Sequence, residues 1–348
     1  MDLKVIWQDY GLDKLEEGVR QLFPETGISA EKLLEQIMSG DVFGALSGLL
    51  SGIVSDFINQ MDSMKNIFLW LLVLGIVSSL LTHFIEIFDV HQVADLGFYF
   101  MYLLFTVILL KCVSQAAQTA TQTLENLALF IRLLVPAYLL SVGVSGGAAS
   151  ASVVRQLMRV VIYGVETILT KGVIPLIYSF MMLAIVNGIW VEEKLTLLIE
   201  LLEKGIGWVL KAAVGIVTGI SIFQSLITPV VDSVRKSTLQ KVVSAIPGVG
   251  NLADGTVELV LGSALVIKNS IGVVLLILML MLCTAPLLKI GIIAGILKCA
   301  AAFIGVVSDK RITACANRAG DAGILLLKTT GTARMLFLIS VAVATAAG

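Results

Sequence analysis

From Ile67 onward the chain is a succession of apolar runs, most of them near the length needed to cross a bilayer. A hydrocarbon core of about 30 Å takes about 20 apolar residues as a helix. Backbone polar groups in lipid must be satisfied internally, which limits spanning structures to helices and closed barrels. Ile67–Phe88, Leu96–Val113, Leu127–Val144, Val173–Trp190, Ile206–Ile227, Ile271–Leu288 and Gly291–Val307 meet or approach that length. Val153–Leu169, which carries Arg155, Arg159 and Glu166, and the closing run Met335–Ala347 are weaker candidates. Composition agrees: 57% of 348 residues are hydrophobic and 14% charged, with mean hydropathy +0.98. Soluble domains carry about 25% charged residues, and so little polar surface would not cover a soluble core of this size. The expected fold is all-α, a polytopic helical membrane protein with roughly seven or eight transmembrane helices plus amphipathic interfacial helices.

Two parts are expected, residues 1–65 and 66–348. The first is acidic: Asp2, Asp9, Asp13, Glu16, Glu17, Glu25, Glu31 and Glu35 outweigh Lys4, Lys14, Arg20 and Lys32. Leu12, Leu15, Val19 and Leu22 recur at helical spacing, and Pro24 and Gly27 break that helix. Met1–Phe23 has no basic region followed by a short apolar core, the pattern of a signal peptide. The chain is therefore expected to insert through its own first span or to be a processed form. Basic residues occur in several connections without alternation, so the positive-inside rule assigns no orientation. Net charge is −1, which gives no field to draw in nucleic acid.

Catalytic patterns fail on inspection. Gly143-Val144-Ser145-Gly146-Gly147 fits G-x-S-x-G, but a serine nucleophile needs a base within reach. The histidines, His83 and His91, both lie upstream near the end of the first span. The run Ser145–Ser152 reads better as a turn of small residues. His83, Glu86, Asp89 and His91 match no H-E-x-x-H arrangement, and no phosphate-binding G-x-x-x-x-G-K-[ST] occurs. Cys112, Cys283, Cys299 and Cys315 are scattered without C-x-x-C spacing and read as small hydrophobes. Neither a cofactor nor a metal is implied.

Ionisable groups inside apolar runs carry more information. Arg132, Glu166, Lys171, Lys211, Lys289, Lys298 and Arg334 sit within or close to spans. Each charge at the bilayer centre costs about 2.5–3.5 kcal/mol on insertion scales, which drives it toward the bundle interior, water or a partner. Lys171, Lys289 and Arg334 lie near expected helix ends and are expected to snorkel to the interface. Arg132 and Lys211 lie deeper and are candidates for an internal or intersubunit contact. Gly215/Gly219 and Gly291/Gly295 form two G-x-x-x-G pairs, expected to pack inside the chain's own bundle in preference to a partner helix.

An interfacial or re-entrant insertion is expected at about residues 229–270. Pro229 is expected to stop the preceding span. Pro247-Gly248 turns the chain, Gly250 relaxes it further, and Asn251 or Asp254 can cap a helix of about fifteen apolar residues, short for a crossing. Lys268-Asn269 marks the entry to the next span. The pattern Ile246-Pro247-Gly248-Val249-Gly250, Asp254, Gly262-Ser263-Ala264-Leu265 and Val266-Ile267-Lys268-Asn269-Ser270-Ile271-Gly272 resembles the signature of the stage III sporulation protein AE family. Val135-Pro136-Ala137-Tyr138 followed by Ser145-Gly146-Gly147-Ala148 is similar to a second motif of that family. The resemblance runs from about Leu12 to the end.

The resemblance implies a non-enzymatic, multi-pass subunit of a channel-like or secretion-like complex in the mother-cell membrane around the forespore. Its partners would be other stage III sporulation membrane proteins, an ATPase subunit supplied in trans, and the lipid bilayer. It also implies that the N-terminal segment faces the intermembrane space. Pro247, Gly248, Gly250, Asp254, Lys268, Asn269, Gly146 and Gly147 are then assembly or gating candidates. Two alternatives stand beside it. One is a self-sufficient permease for a small molecule or ion, motivated by helices broken near Pro136, Pro175, Pro229 and Pro286. The other is an intramembrane serine protease using Ser145.

Overall fold

The computed structural model describes residues 42–88, 91–144, 156, 160–190, 194–243, 276–280, 282–306 and 308–347. Among these the secondary structure is helical: α1 (Val42–Phe88), α2 (His91–Val144), a π-helical segment (Thr167–Val173) leading into α3 (Ile174–Ile189), α4 (Thr196–Val243), α5 (Thr284–Ile304) and α6 (Lys310–Ala347). Among the described residues, six helices are long and apolar enough to cross a membrane: Phe57–Leu80, Gly97–Arg132, Val160–Ile189, Thr196–Phe223, Leu276–Ile304 and Lys310–Ala342.

The polytopic all-α expectation holds; among the described residues the candidate spans number six against the seven or eight expected, because apolar runs merge. Leu96–Val113 and Leu127–Val144 belong to one helix, α2, of 54 residues. The intervening Gln and Thr residues do not break it. Thr119, Thr121 and Thr123 return their hydroxyls to the carbonyls of Gln115, Ala117 and Thr119 at 2.6–3.0 Å, so each polar side chain is satisfied by its own helix. Lys171 and Lys289 likewise sit within continuous helical segments. Pro229 does not stop its span: α4 runs from Thr196 to Val243, and Pro136 lies inside α2. Proline is tolerated inside membrane helices because neighbouring groups can satisfy the freed carbonyl. Residue 65 falls inside α1, and residues 244–270 lie outside the described residues.

α6 is the central helix, packed against α2, α3, α4 and α5, while α1 packs on α2 and α5. Close approach comes from small residues, since lipid supplies no hydrophobic force between helices. Gly323 lies against Ala294, where an added Cβ would come within 2.8 Å of the alanine Cβ. Ala316, Ala319 and Ala322 are fully buried on α6. Gly75 of α1 lies under Ile304 at the end of α5.

One end of the bundle is fastened by polar caps. The side-chain amide oxygen of Asn187 accepts from the Leu195 N–H at 2.8 Å, and its Nδ2 donates to Thr196 Oγ1 at 3.2 Å. The α3–α4 turn is thus tied at the start of α4, where backbone donors lack intrahelical partners. Asp309 Oδ1 accepts from the Arg311 N–H at 2.8 Å and caps α6. Asn187→Ala is expected to lower stability by about 1–2 kcal/mol, and Asn187→Asp, which keeps the acceptor, by less. Thermal unfolding in detergent measures both.

Candidate functional site

The charges inside the bundle fall into three places. On the α5–α6 hairpin, Lys298 Nζ lies 2.7 Å from Asp321 Oδ1 and donates to Asn317 Oδ1 at 2.6 Å. The side chains of Lys298 and Asp321 are 31% and 20% exposed, so the pair is only partly desolvated. One helical step away, Arg318 Nη1 reaches Glu203 Oε2 of α4 at 3.4 Å. Asn317, Arg318 and Asp321 therefore connect α6 to both flanking helices. The sequence shows Lys298 as a charge within a span. Its partners begin α6, in the stretch that hydropathy alone assigns to a connection.

The second place is the π-helical segment. Pro175 lacks an N–H, and its ring crowds the carbonyl four residues earlier, at Lys171. A widened π turn over Thr167–Val173 accommodates this, as π-bulges do within helices. Glu166, the helical residue that precedes that segment, forms an ion pair with Arg132 of α2. Arg132, a candidate for an internal or intersubunit contact, makes this pair within the chain with its side chain 48% exposed. Thr170 Oγ1, buried one turn on, has no hydrogen-bond partner among the described residues. Lys211 behaves differently: it is exposed on α4 and makes no ion pair among the described residues.

The third place is a groove of about 830 Å³ between α1, α5 and α6. Phe57, Phe68 and Leu287 wall it, Gly291, Gly295 and Gly331 line it, and Arg334 reaches into it. An added Cβ would meet nothing within 4 Å at Gly295 or Gly331, and only Leu327 at 3.8 Å at Gly291. Arg334 makes no ion pair among the described residues. Among the described residues, an added Cβ meets a neighbour within 4 Å at Gly291 but at none of the other G-x-x-x-G glycines, Gly215, Gly219 and Gly295. Among the described residues, then, the packing expected of both pairs is made by Gly291 alone.

Gly146, Gly147, Pro247, Gly248, Gly250, Asp254, Lys268 and Asn269 lie outside the described residues, as does Ser145.

Comparison with known proteins places this arrangement. The family model described as stage III sporulation protein AE matches residues 28–348. The chain belongs to the stage III sporulation protein AE family. Within that family it is 23% identical over 262 residues to "Stage III sporulation protein AE" of Bacillus subtilis (strain 168). The match covers 75% of this chain and 66% of that relative, just under two thirds of its length. No solved structure matches this stage III sporulation protein AE family member. It is a helical membrane protein of a sporulation family. Among the described residues its charges form ion pairs between helices, and Lys65 and Arg334 both line the apolar groove.

Proposed function

We propose that the chain is a non-enzymatic subunit of a channel-like or secretion-like assembly, in the mother-cell membrane that surrounds the forespore. The observation that carries this reading is the groove between α1, α5 and α6. Its glycines leave backbone open at helix-packing spacing, the feature that lets a second membrane helix approach closely. Arg334 supplies a cation there without an ion-pair partner among the described residues. A charge so placed favours an acidic or polar group from another chain. In this reading other stage III sporulation membrane proteins supply that helix, and an ATPase is supplied in trans. The N-terminal part of residues 1–65, ahead of α1, supplies an acidic segment, and Ile246–Gly272 is a docking or gating element on the strength of its sequence pattern.

Filling the groove tests the reading. Gly295→Leu with Gly331→Leu places bulk where nothing stands within 4 Å, so the chain itself is expected to accumulate normally. Co-purification of its membrane partners from sporulating cells is expected to drop at least about tenfold, the equivalent of about 1.4 kcal/mol. Undiminished co-purification would remove the groove from the assembly.

A further inference from the structure

Each of the six candidate spans carries one lysine that the contacts between helices bring to a common depth: Lys65, Lys111, Lys171, Lys211, Lys289 and Lys328. The register follows from named contacts. Gly291 faces Leu327 across the antiparallel α5–α6 pair, which sets Lys289 beside Lys328. Glu203 meets Arg318 on the parallel α4–α6 pair, and eight residues further along each helix Lys211 lies level with Leu326. Arg311 stands over the Phe98 ring at 3.6 Å, so Lys111 is level with Ile324. Gly75 touches Ile304 and Ala294 touches Gly323, which brings Lys65 level with Gly323. Tyr102 donates to the Ile185 carbonyl, and from that contact Lys171 falls about one turn from the depth of Lys111. At about 1.5 Å rise per residue, the six lysines occupy a layer about 9 Å deep.

On one side of this layer lies a band whose exposed side chains are mostly apolar, with Leu69 and Val73 on α1, Leu103 and Val107 on α2, Met182 on α3 and Leu201 on α4, interrupted on α4 by the exposed Lys204–Glu200 ion pair. The band ends about 24 Å away, where Asp309 and Arg311 cap α6 and Lys194 lies over the Trp190 ring. Charges inside the band are paired, as Lys298 is with Asp321 and Arg318 with Glu203. In the layer, Lys65 pairs with Asp62, and the other five lysines make no ion pair among the described residues. On the far side of Lys111 the outer face of α2 turns polar, with Gln118, Gln122 and Glu125 exposed. Elsewhere the outer faces stay apolar beyond the layer, with Ile58 and Met61 before Lys65, Val160 and Ile168 before Lys171, Ile216 and Phe223 beyond Lys211, and Met335 beyond Lys328.

We propose that the six lysines form a basic belt at one membrane boundary that binds the headgroups of anionic phospholipids. Five ammonium groups without carboxylates, at one depth on five helices, require anions or water around them. Lysine stems can reach several ångströms to an interface, which brings a band of about 24 Å to the thickness of a hydrocarbon core of about 30 Å. Polybasic surfaces of this kind favour anionic lipid strongly, and salt weakens the attraction.

The full chain reconstituted in phosphatidylcholine vesicles containing spin-labelled phosphatidylglycerol tests this. The protein is expected to hold phosphatidylglycerol at least about threefold more strongly than spin-labelled phosphatidylcholine at low salt. The combined variant Lys111→Gln, Lys171→Gln, Lys211→Gln, Lys328→Gln is expected to lose that preference, and the matching four Lys→Arg changes to keep it. Lys204→Gln, inside the apolar band, leaves it unchanged. In a chain whose native cysteines are alanine, a membrane-impermeant maleimide is expected to label Gln118→Cys and spare Val107→Cys. An unchanged lipid preference in the Gln variant would overturn the proposal. So would protection of Gln118→Cys, since the belt would then lie within the hydrocarbon and the apolar face of α4 beyond Lys211 would mark the slab.

Discussion

Gly188→Ala is expected to destabilise the α2–α3 junction by about 2–3 kcal/mol, the range for forcing extra volume into a packed core. Gly188 is buried against the Tyr102 ring, and a Cβ there would fall inside contact distance of the phenol oxygen. Tyr102 is itself fully buried, stacks on Phe98 with ring centroids 5.9 Å apart, and donates its hydroxyl to the Ile185 carbonyl at 2.7 Å. The added methyl must displace a ring that is held from two sides. Tyr102→Phe alone should cost about 1 kcal/mol, since it removes one buried hydrogen bond. Combined with Gly188→Ala it should restore part of the loss, because the crowding atom is gone. Unfolding of the purified protein in detergent reads the cycle, and strict additivity of the two changes would refute the contact.

Asp321→Leu is expected to be comparably damaging, at about 2–3 kcal/mol. Removing one partner of a buried ion pair leaves the other charge uncompensated, which costs about 3–5 kcal/mol when burial is complete. Here Lys298 and Asp321 are 31% and 20% exposed, which lowers the expected value, and Asn317 still accepts one bond from Lys298 at 2.6 Å. Lys298→Met in the same chain should recover most of the loss, since an apolar pair of similar volume needs no compensation. A double variant no better than Asp321→Leu alone would show that the aspartate acts through something other than the lysine.

Sequence pattern reached the fold class and the membrane setting because long apolar runs admit few alternatives in lipid. It divided the runs wrongly where polar residues interrupt them. Ser114 to Asn126 looked like a connection, yet Gln, Thr and Ala sustain a helix there, with the Thr hydroxyls bonded back along it. Arg132 stands out in sequence as a charge within an apolar run, and it pairs with Glu166 on a half-exposed face. Asn317, Arg318 and Asp321 were not, because their partners Glu203 and Lys298 are distant in sequence and on different helices. The lysine layer escaped for a related reason. Its members lie inside apolar runs, so counting charges in loops passes over them, and only the contacts of α6 with its neighbours bring them level.

The account rests on the chain being a subunit of an assembly, and its composition in sporulating cells tests that most directly. Affinity purification of the tagged, full-length protein from gently solubilised membranes, followed by mass spectrometry, is expected to bring down other stage III sporulation membrane proteins together with an ATPase. Recovery of the chain alone, coupled with solute movement by the purified protein in liposomes, would contradict the account and establish a self-sufficient permease.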